Sequence, residues 1–306
     1  MPRHSRPRLA GLALALIVTC WLPGQGLAQS TGPLKVRNWA YQLQGADPGE
    51  IAASPFDLVV IDYSRDGTGI GAHTLDDVQS MRRKADGGRR VVLSYMSIGE
   101  AEDYRYYWDA KWKMNPPAWL DRENPDWPGN YKVRYWNPEW RALIFGDPDA
   151  YLDKIIAAGF DGVYLDIIDA FEYYEATHSA AANDMVGFVM ALSAYAKSKK
   201  PDFLVFPQNG EILLEDPRYL AAIDGIGKED LFYAGDEDDR PNTQREIETG
   251  MRRLKHAAAA GKLVLTVEYL TNREHIQDYR IRAAKAGFMA YIADRSLDRL
   301  VPQAKF

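Results

Sequence analysis

The chain has 306 residues, 46% of them hydrophobic, enough for one large domain or two small ones. Its net charge of −6 comes without a basic stripe, which argues against a nucleic-acid binder. The single Cys, Cys20, excludes a framework of internal disulfides. At the amino terminus Arg3, Arg6 and Arg8 precede an apolar run from Leu9 to Leu22, and the small residues of Gly26-Leu27-Ala28 end it. This pattern predicts a secretory signal over residues 1–28, too short and wrongly flanked for a membrane span. Lipid attachment at Cys20 is the minor reading, because Thr19 fits poorly before it. Cleavage after Ala28 leaves a mature domain of residues 29–306 with 34 Lys and Arg against 43 Asp and Glu, a charge of −9. The expected destination is the periplasm or the medium, with no lasting membrane insertion. Loss of Cys20 also excludes Cys nucleophiles and Cys-ligated metals.

Taken in order, the mature sequence alternates short apolar strands with helices. Val36 to Gln42 is the first strand, and Leu58 to Ile61, ending in Asp62-Tyr63, is the second. A helix from about Asp76 to Lys84 leads to Val91–Tyr95, which runs into Ser97-Ile98-Gly99-Glu100. The fourth strand, Val163-Tyr164-Leu165, follows a helix stopped at Gly159 and ends at Asp166. It lacks alternation, as a strand buried on both faces does. A helix over Ala181 to Lys199 precedes Phe203–Phe206, which ends in Pro207-Gln208-Asn209. Ile223 to Gly227 leads to Glu229-Asp230. A helix from Thr243 to Ala260 precedes Leu263–Val267, ending in Glu268-Tyr269. A helix near Ile276 to Ala286 precedes the eighth strand, Phe288 to Ile292. Eight such units over about 260 residues predict a single α/β domain, a (β/α)8 TIM barrel. A doubly wound sheet seldom needs eight strands that each end in a polar cluster.

One connection stands apart. About sixty residues separate the third and fourth strands, and Trp108, Trp112, Trp119, Trp127, Trp136 and Trp140 all lie there. A long loop after the third strand is placed for a substrate wall. Rings of this kind either stack on sugar faces, with Trp108 and Trp136 as candidates, or form a satellite core under the loop.

Asp62, Glu100, Asp166, Asn209, Glu229 and Glu268 converge on the carboxyl face of the predicted barrel, where polar residues read as functional. Tyr63, Tyr95, Asp169, Gln208 and Tyr269 accompany them as candidate substrate ligands. Asp62 and Glu100 serve equally well as salt-bridge partners. Asp169, one turn beyond Asp166, can cap the next segment or bond substrate. Glycoside hydrolysis needs two carboxylates, and Asp166 with Glu229 is the favoured pair. Asp230 and Glu268 stay open as proton donors. The four remaining His residues (His73, His178, His256 and His275) avoid the strand ends, which argues against a Ser-His-Asp triad and His-ligated zinc. Gly67-x-Gly69-x-x-Ala72 lies too far from its strand for a dinucleotide loop. Asp236-Glu237-Asp238-Asp239 lacks calcium-loop spacing. No metal and no cofactor is expected.

Gly159–Asp166, Ser97–Arg105, Pro207–Gly210 and Ile223–Asp230 resemble the motifs of the endo-α-1,4-polygalactosaminidase family, glycoside hydrolase family 114. The resemblance runs from about Val36 to Ile292. It implies a TIM barrel that cleaves α-1,4-linked galactosamine polysaccharide, with Asp166 as nucleophile and Glu229 as general acid/base. The expected protein is a monomer whose partner is an amino-sugar polymer. A non-catalytic carbohydrate-binding protein on the same barrel, and a hydrolase of another α-galactoside, are the alternatives.

Overall fold

The computed structural model describes residues 36–234 and 239–303. The predicted signal and most of the acidic turn at 236–239 lie outside them. Lys35–Phe306 forms one compact unit.

Strand β1 (Trp39–Gln42) is followed by the short helix α1 (Pro48–Ala53), set by Asp47 at its N-cap and Pro48 in its first turn. Next come β2 (Leu58–Asp62), α2 (Leu75–Arg82) with a Thr74–Asp77 capping box, and β3 (Val91–Ser97). The long insertion holds β4 (Glu100–Glu102), a 3-10 turn at Ala110–Lys113, β5 (Leu120–Glu123), β6 (Asn130–Val133), α3 (Pro138–Ile144) and α4 (Tyr151–Ala157). Then follow β7 (Gly162–Asp166), α5 (Ala170–Tyr174), α6 (Ala181–Lys199) and β8 (Leu204–Pro207). The chain closes with α7 (Pro217–Ala222), β9 (Gly225–Glu229), α8 (Gln244–Ala259), β10 (Leu263–Glu268), α9 (Arg273–Ala286) and β11 (Met289–Ile292).

The eight parallel strands stand in barrel order. β1-β2-β3-β7-β8 form one hydrogen-bonded run and β9-β10-β11 the other. A parallel bridge between Gln208 and Gly227 joins the runs at β8/β9. Across the last gap the Trp39 indole donates to the Met289 carbonyl at 2.8 Å. The TIM-barrel class read from the sequence therefore holds, and all eight strands fall where the apolar runs placed them.

Boundaries differ for physical reasons. The first strand begins at Trp39 because Arg37 and Asn38 are turned toward Asp57. The sixth barrel strand reaches Glu229, beyond its expected end at Gly227. Gly227 lowers strand propensity yet is required there, since a Cβ at that position would lie 1.8 Å from the Tyr164 hydroxyl. That phenol belongs to the aromatic filling of the barrel, where Trp39, Tyr41, Tyr164 and Tyr291 pack with centroids 5.3–6.3 Å apart.

The insertion is more ordered than a bare loop. β4-β6-β5 form a small antiparallel sheet beside the carboxyl face. Its aromatics mostly follow the satellite-core alternative: Trp108, Trp112, Trp119 and Trp140 make a continuous chain of ring contacts of 5.0–5.2 Å. Trp119 and Trp140 are buried and Trp127, at the β5–β6 tip, is exposed.

Candidate active site

The site is built where β7, β8 and β9 end, on three neighbouring strands. Asp166 is the last residue of β7, Gln208 follows β8, and Glu229 is the last residue of β9. In all three places the next residue takes a left-handed backbone: Ile167 at φ 57°, Asn209 at φ 59° and Asp230 at φ 53°. For a β-branched residue such as Ile167 this conformation is strained, at a cost on the order of 1–3 kcal/mol. The surrounding structure must impose it. The Ile98 amide bonds the Asp166 carbonyl, and Asn209 Oδ1 accepts from the Glu229 amide at 3.2 Å. Each turn aims the preceding side chain across the barrel mouth.

The two carboxyls are held by neutral donors. Tyr95 on β3 donates its hydroxyl to Asp166 Oδ2 at 2.8 Å, and Tyr269 after β10 donates to Glu229 Oε1. Gln208 Nε2 lies 3.0 Å from Asp166 Oδ1 and 2.6 Å from Glu229 Oε2. The two oxygens that share this one nitrogen are therefore no farther apart than its two legs laid end to end, 5.6 Å. Burial pushes both acids upward, and the Glu229 charge adds to it, taking Asp166 to about 8. Burial and mutual repulsion both favour the protonated forms, so the pair holds a proton more tightly than two free carboxyls do. One acid and one base within a shared hydrogen-bond network is the inventory that glycosyl transfer to water requires.

The other predicted residues divide by position. Asp62 is buried and bound by Arg105, whose Nη2 stands 2.7 Å from its Oδ2, and burial raises it. The same guanidinium grips Glu102 at 2.6 Å and lies over the Tyr104 and Tyr151 rings. Arg105, the last residue of the Ser97–Arg105 motif, thus pins the start of the insertion to β2. Glu100 is buried against Asn124 (2.9 Å) and Lys132 (3.3 Å), and ties β4 to β6. Tyr63 packs into the Tyr106–Tyr151 cluster. Glu268 is fully buried under the chain after β9, accepts from the Phe232 amide at 2.8 Å, and is raised to about 8 by burial. Trp108 is half-buried against Trp112 and Tyr131, while Trp136 stacks on His178 at 4.2 Å. The capping role allowed for Asp169 is not realised. Its ψ of 0° departs from the extended backbone an N-cap needs, and its side chain makes no capping bond. It sits instead with Lys228 and Glu211, and burial raises it.

Two residues that sequence reasoning passed over flank the pair. Lys228, just before Glu229 on β9, bonds Asn209 Oδ1 at 3.3 Å and faces Glu211. Arg295 lies over the Tyr269 ring at 4.2 Å and pairs with Asp230 at 3.1 Å. A groove of about 630 Å³ is lined by Lys228, Asp230, Asn242, Thr243 and Arg253, among others. A second of about 370 Å³, bounded by Phe171, Glu172 and Glu175, shares Glu211 and Arg253 with it.

A (β/α)8 barrel with two carboxyls joined at the carboxyl ends of its strands is the architecture of a two-carboxylate glycoside hydrolase. Comparison with known proteins agrees. The family model of glycoside-hydrolase family GH114 matches residues 23–305, and the chain belongs to that family. An uncharacterised protein of Methanocaldococcus jannaschii is 42% identical over 278 residues, covering 86% of this chain and 77% of the relative. One of Deinococcus radiodurans is 36% identical over 314 residues, covering 94% and 97%. Among solved structures, the glycoside hydrolase domain of PelA from Pseudomonas aeruginosa superimposes with a TM-score of 0.63 at 18% identity, over 87% of this chain and 98% of that one. That likeness extends to the fold.

Proposed function

We propose that the protein is an exported glycoside hydrolase that cleaves α-1,4-linked galactosamine or N-acetylgalactosamine polysaccharide within the chain, with retention of configuration. The observation that carries the reaction class is the shared Gln208 donor, which keeps the facing oxygens, Asp166 Oδ1 and Glu229 Oε2, within 5.6 Å of each other. Retaining enzymes hold their carboxyls about 5–5.5 Å apart, whereas inverting ones need roughly 6.5–9.5 Å to admit a water. In this reading the proton of the pair rests on Glu229 in the reactive form; ionised Asp166 attacks the anomeric carbon, and the glycosidic C–O bond breaks as Glu229 gives that proton to the departing oxygen. Glu229 then takes a proton from water, whose oxygen attacks the same carbon and releases Asp166. The Tyr95 hydroxyl stabilises the charge that returns to Asp166 in the second step.

The substrate class is supported by family membership and by charge. The mature chain carries −9, and Asp169, Glu172, Glu175 and Glu211 gather beside the pair. A deacetylated amino sugar bears an ammonium, which such a field attracts. The test is reducing-end release from a galactosamine-rich polysaccharide, with the anomeric configuration of the first product read by proton NMR. Activity with retained configuration, lost by orders of magnitude in Asp166→Asn and Glu229→Gln, is the expected result. Polymer that binds without being cleaved would establish a binding protein instead, and cleavage confined to other α-galactosides would reassign the substrate.

A further inference from the structure

We infer that Gln208 is a positioning residue: a strut whose single amide nitrogen sets the distance between the two carboxyls and the way they share a proton, without touching substrate. The inference rests on the paired-carboxylate reading of the site. Its basis is geometric. Gln208 stands between Asp166 and Glu229 in barrel order, and its backbone is pinned on both sides. Its amide donates to the Leu165 carbonyl at 2.7 Å, and the next amide, of Asn209, donates to the Gly227 carbonyl at 2.9 Å. The side chain is 3% exposed. Both hydrogens of Nε2 are taken up by the two acids, at 3.0 Å and 2.6 Å.

In the observed orientation the amide nitrogen faces both acids. Turned over, its carbonyl oxygen would meet any ionised carboxylate of the pair as a second acceptor, with no hydrogen between them. In the observed orientation Oε1 is buried, with no partner among the described residues. A buried acceptor left unbonded costs on the order of 1–3 kcal/mol, so the two bonds made by Nε2 must outweigh it.

Two consequences follow. A hydrogen bond donated to a carboxylate favours its charged form, so the strut lowers the proton affinity of both acids at once. It also separates them, because removing the shared nitrogen lets the carboxyls approach and share a proton directly. The other groups facing the pair keep their places. Tyr95 and Asp169 lie on the Asp166 side, and Lys228, Asp230, Tyr269 and Arg295 on the Glu229 side. The Tyr41 and Tyr164 phenols lie near both acids.

The experiment is a carboxyl 13C NMR titration of the protein labelled at Asp Cγ and Glu Cδ, for wild type, Gln208→Leu and Gln208→Glu. Asp166→Asn and Glu229→Gln serve for assignment. The upper titration of the pair is expected to rise by at least one pH unit in Gln208→Leu. The acid limb of kcat/KM should rise with it, and kcat should fall at least tenfold with KM within threefold of wild type. Gln208→Glu keeps the shape and cannot donate to two acids, so it should shift the titration alike if the Leu variant does not fold. A titration unmoved in both variants, or a raised KM with kcat unchanged, would overturn the inference. Because the titration needs no turnover, a shift in a protein that cleaves nothing would sink the proposed function and leave the strut standing. A flat titration in an active enzyme would do the reverse.

Discussion

Asp166 is held in a setting that serves chemistry at the expense of stability, and the cost can be measured. Its carboxyl goes from an ordinary value of 3.8 to about 8 in the fold, because burial and the Glu229 charge both disfavour ionisation. A group whose folded value is raised contributes fully only below its unfolded value and loses that contribution as pH climbs toward the folded one. About four pH units at about 1.4 kcal/mol each set a ceiling of about 6 kcal/mol on the loss by pH 8. Asp166→Asn preserves the shape and still accepts from Gln208, but carries no charge to desolvate. The buried amide has its own pH-independent cost of about 1–3 kcal/mol, so the net gain should be at most about 3–5 kcal/mol at pH 8, turning into a loss of about 1–3 kcal/mol by pH 4. Urea denaturation of both proteins at pH 4, 6 and 8 reads the difference directly. A variant that loses activity yet is no more stable than wild type at pH 8 would refute the reasoning. So would a gain that stays flat across pH, since the effect would then not be electrostatic.

Other outcomes follow from the same contacts. Tyr269→Phe removes the phenol that stabilises ionised Glu229, so the Glu229 titration should move upward and kcat/KM at neutral pH should fall about tenfold; a pH–rate profile checks both. Arg105→Met strands the buried Asp62 and Glu102 carboxyls and should cost about 3–5 kcal/mol in denaturant unfolding, with a change under 1 kcal/mol counting against the clamp. Gly227→Ala forces a methyl onto the Tyr164 hydroxyl and should cost at least about 1–3 kcal/mol, read as a lowered Tm. If the acidic cleft gathers a cationic polymer, kcat/KM on deacetylated substrate should fall several-fold between about 20 and 300 mM salt, and an uncharged oligosaccharide should show no such slope.

The barrel was legible because a parallel strand covered on both faces leaves a short apolar run with no alternation, and because each run ends in a polar residue. Val163-Tyr164-Leu165 followed by Asp166 shows both features. The parts that stayed hidden depend on partners far away in sequence. Arg105 closes the Ser97–Arg105 motif, but its partner Asp62 lies 43 positions away, and nothing local shows the pairing. The sheet β4-β6-β5 pairs segments interrupted by Pro and Gly, whose local pattern reads as loop. Ile167 is the sharpest case. A β-branched residue disfavours the left-handed backbone it adopts, so local propensity points away from the turn that aims Asp166. For Tyr95, Gln208 and Tyr269, read from the sequence as substrate ligands, the structure adds a second set of partners: both hydroxyls and the Gln208 amide nitrogen donate to the acids.

The buried acids of this barrel can be sorted by what neutralises them. Asp57 has Arg37 and Lys84, Asp161 has Arg82 and Arg89, Asp62 and Glu102 share Arg105, and Glu100 has Lys132. Each carries its cation with it, and each fastens one element to another. Asp166 and Glu229 are bonded by phenols and an amide, which orient a carboxylate without cancelling its charge. Pairing with a guanidinium would hold either acid ionised and unable to donate a proton near neutrality. Neutral donors leave both protonation states within reach, which an alternating acid and base needs. Glu268 is also without a bonded cation, yet it is sealed under the chain after β9, whereas Asp166 and Glu229 keep part of their surface open. Neutral donors together with access single out the same two carboxyls that the strand ends first suggested.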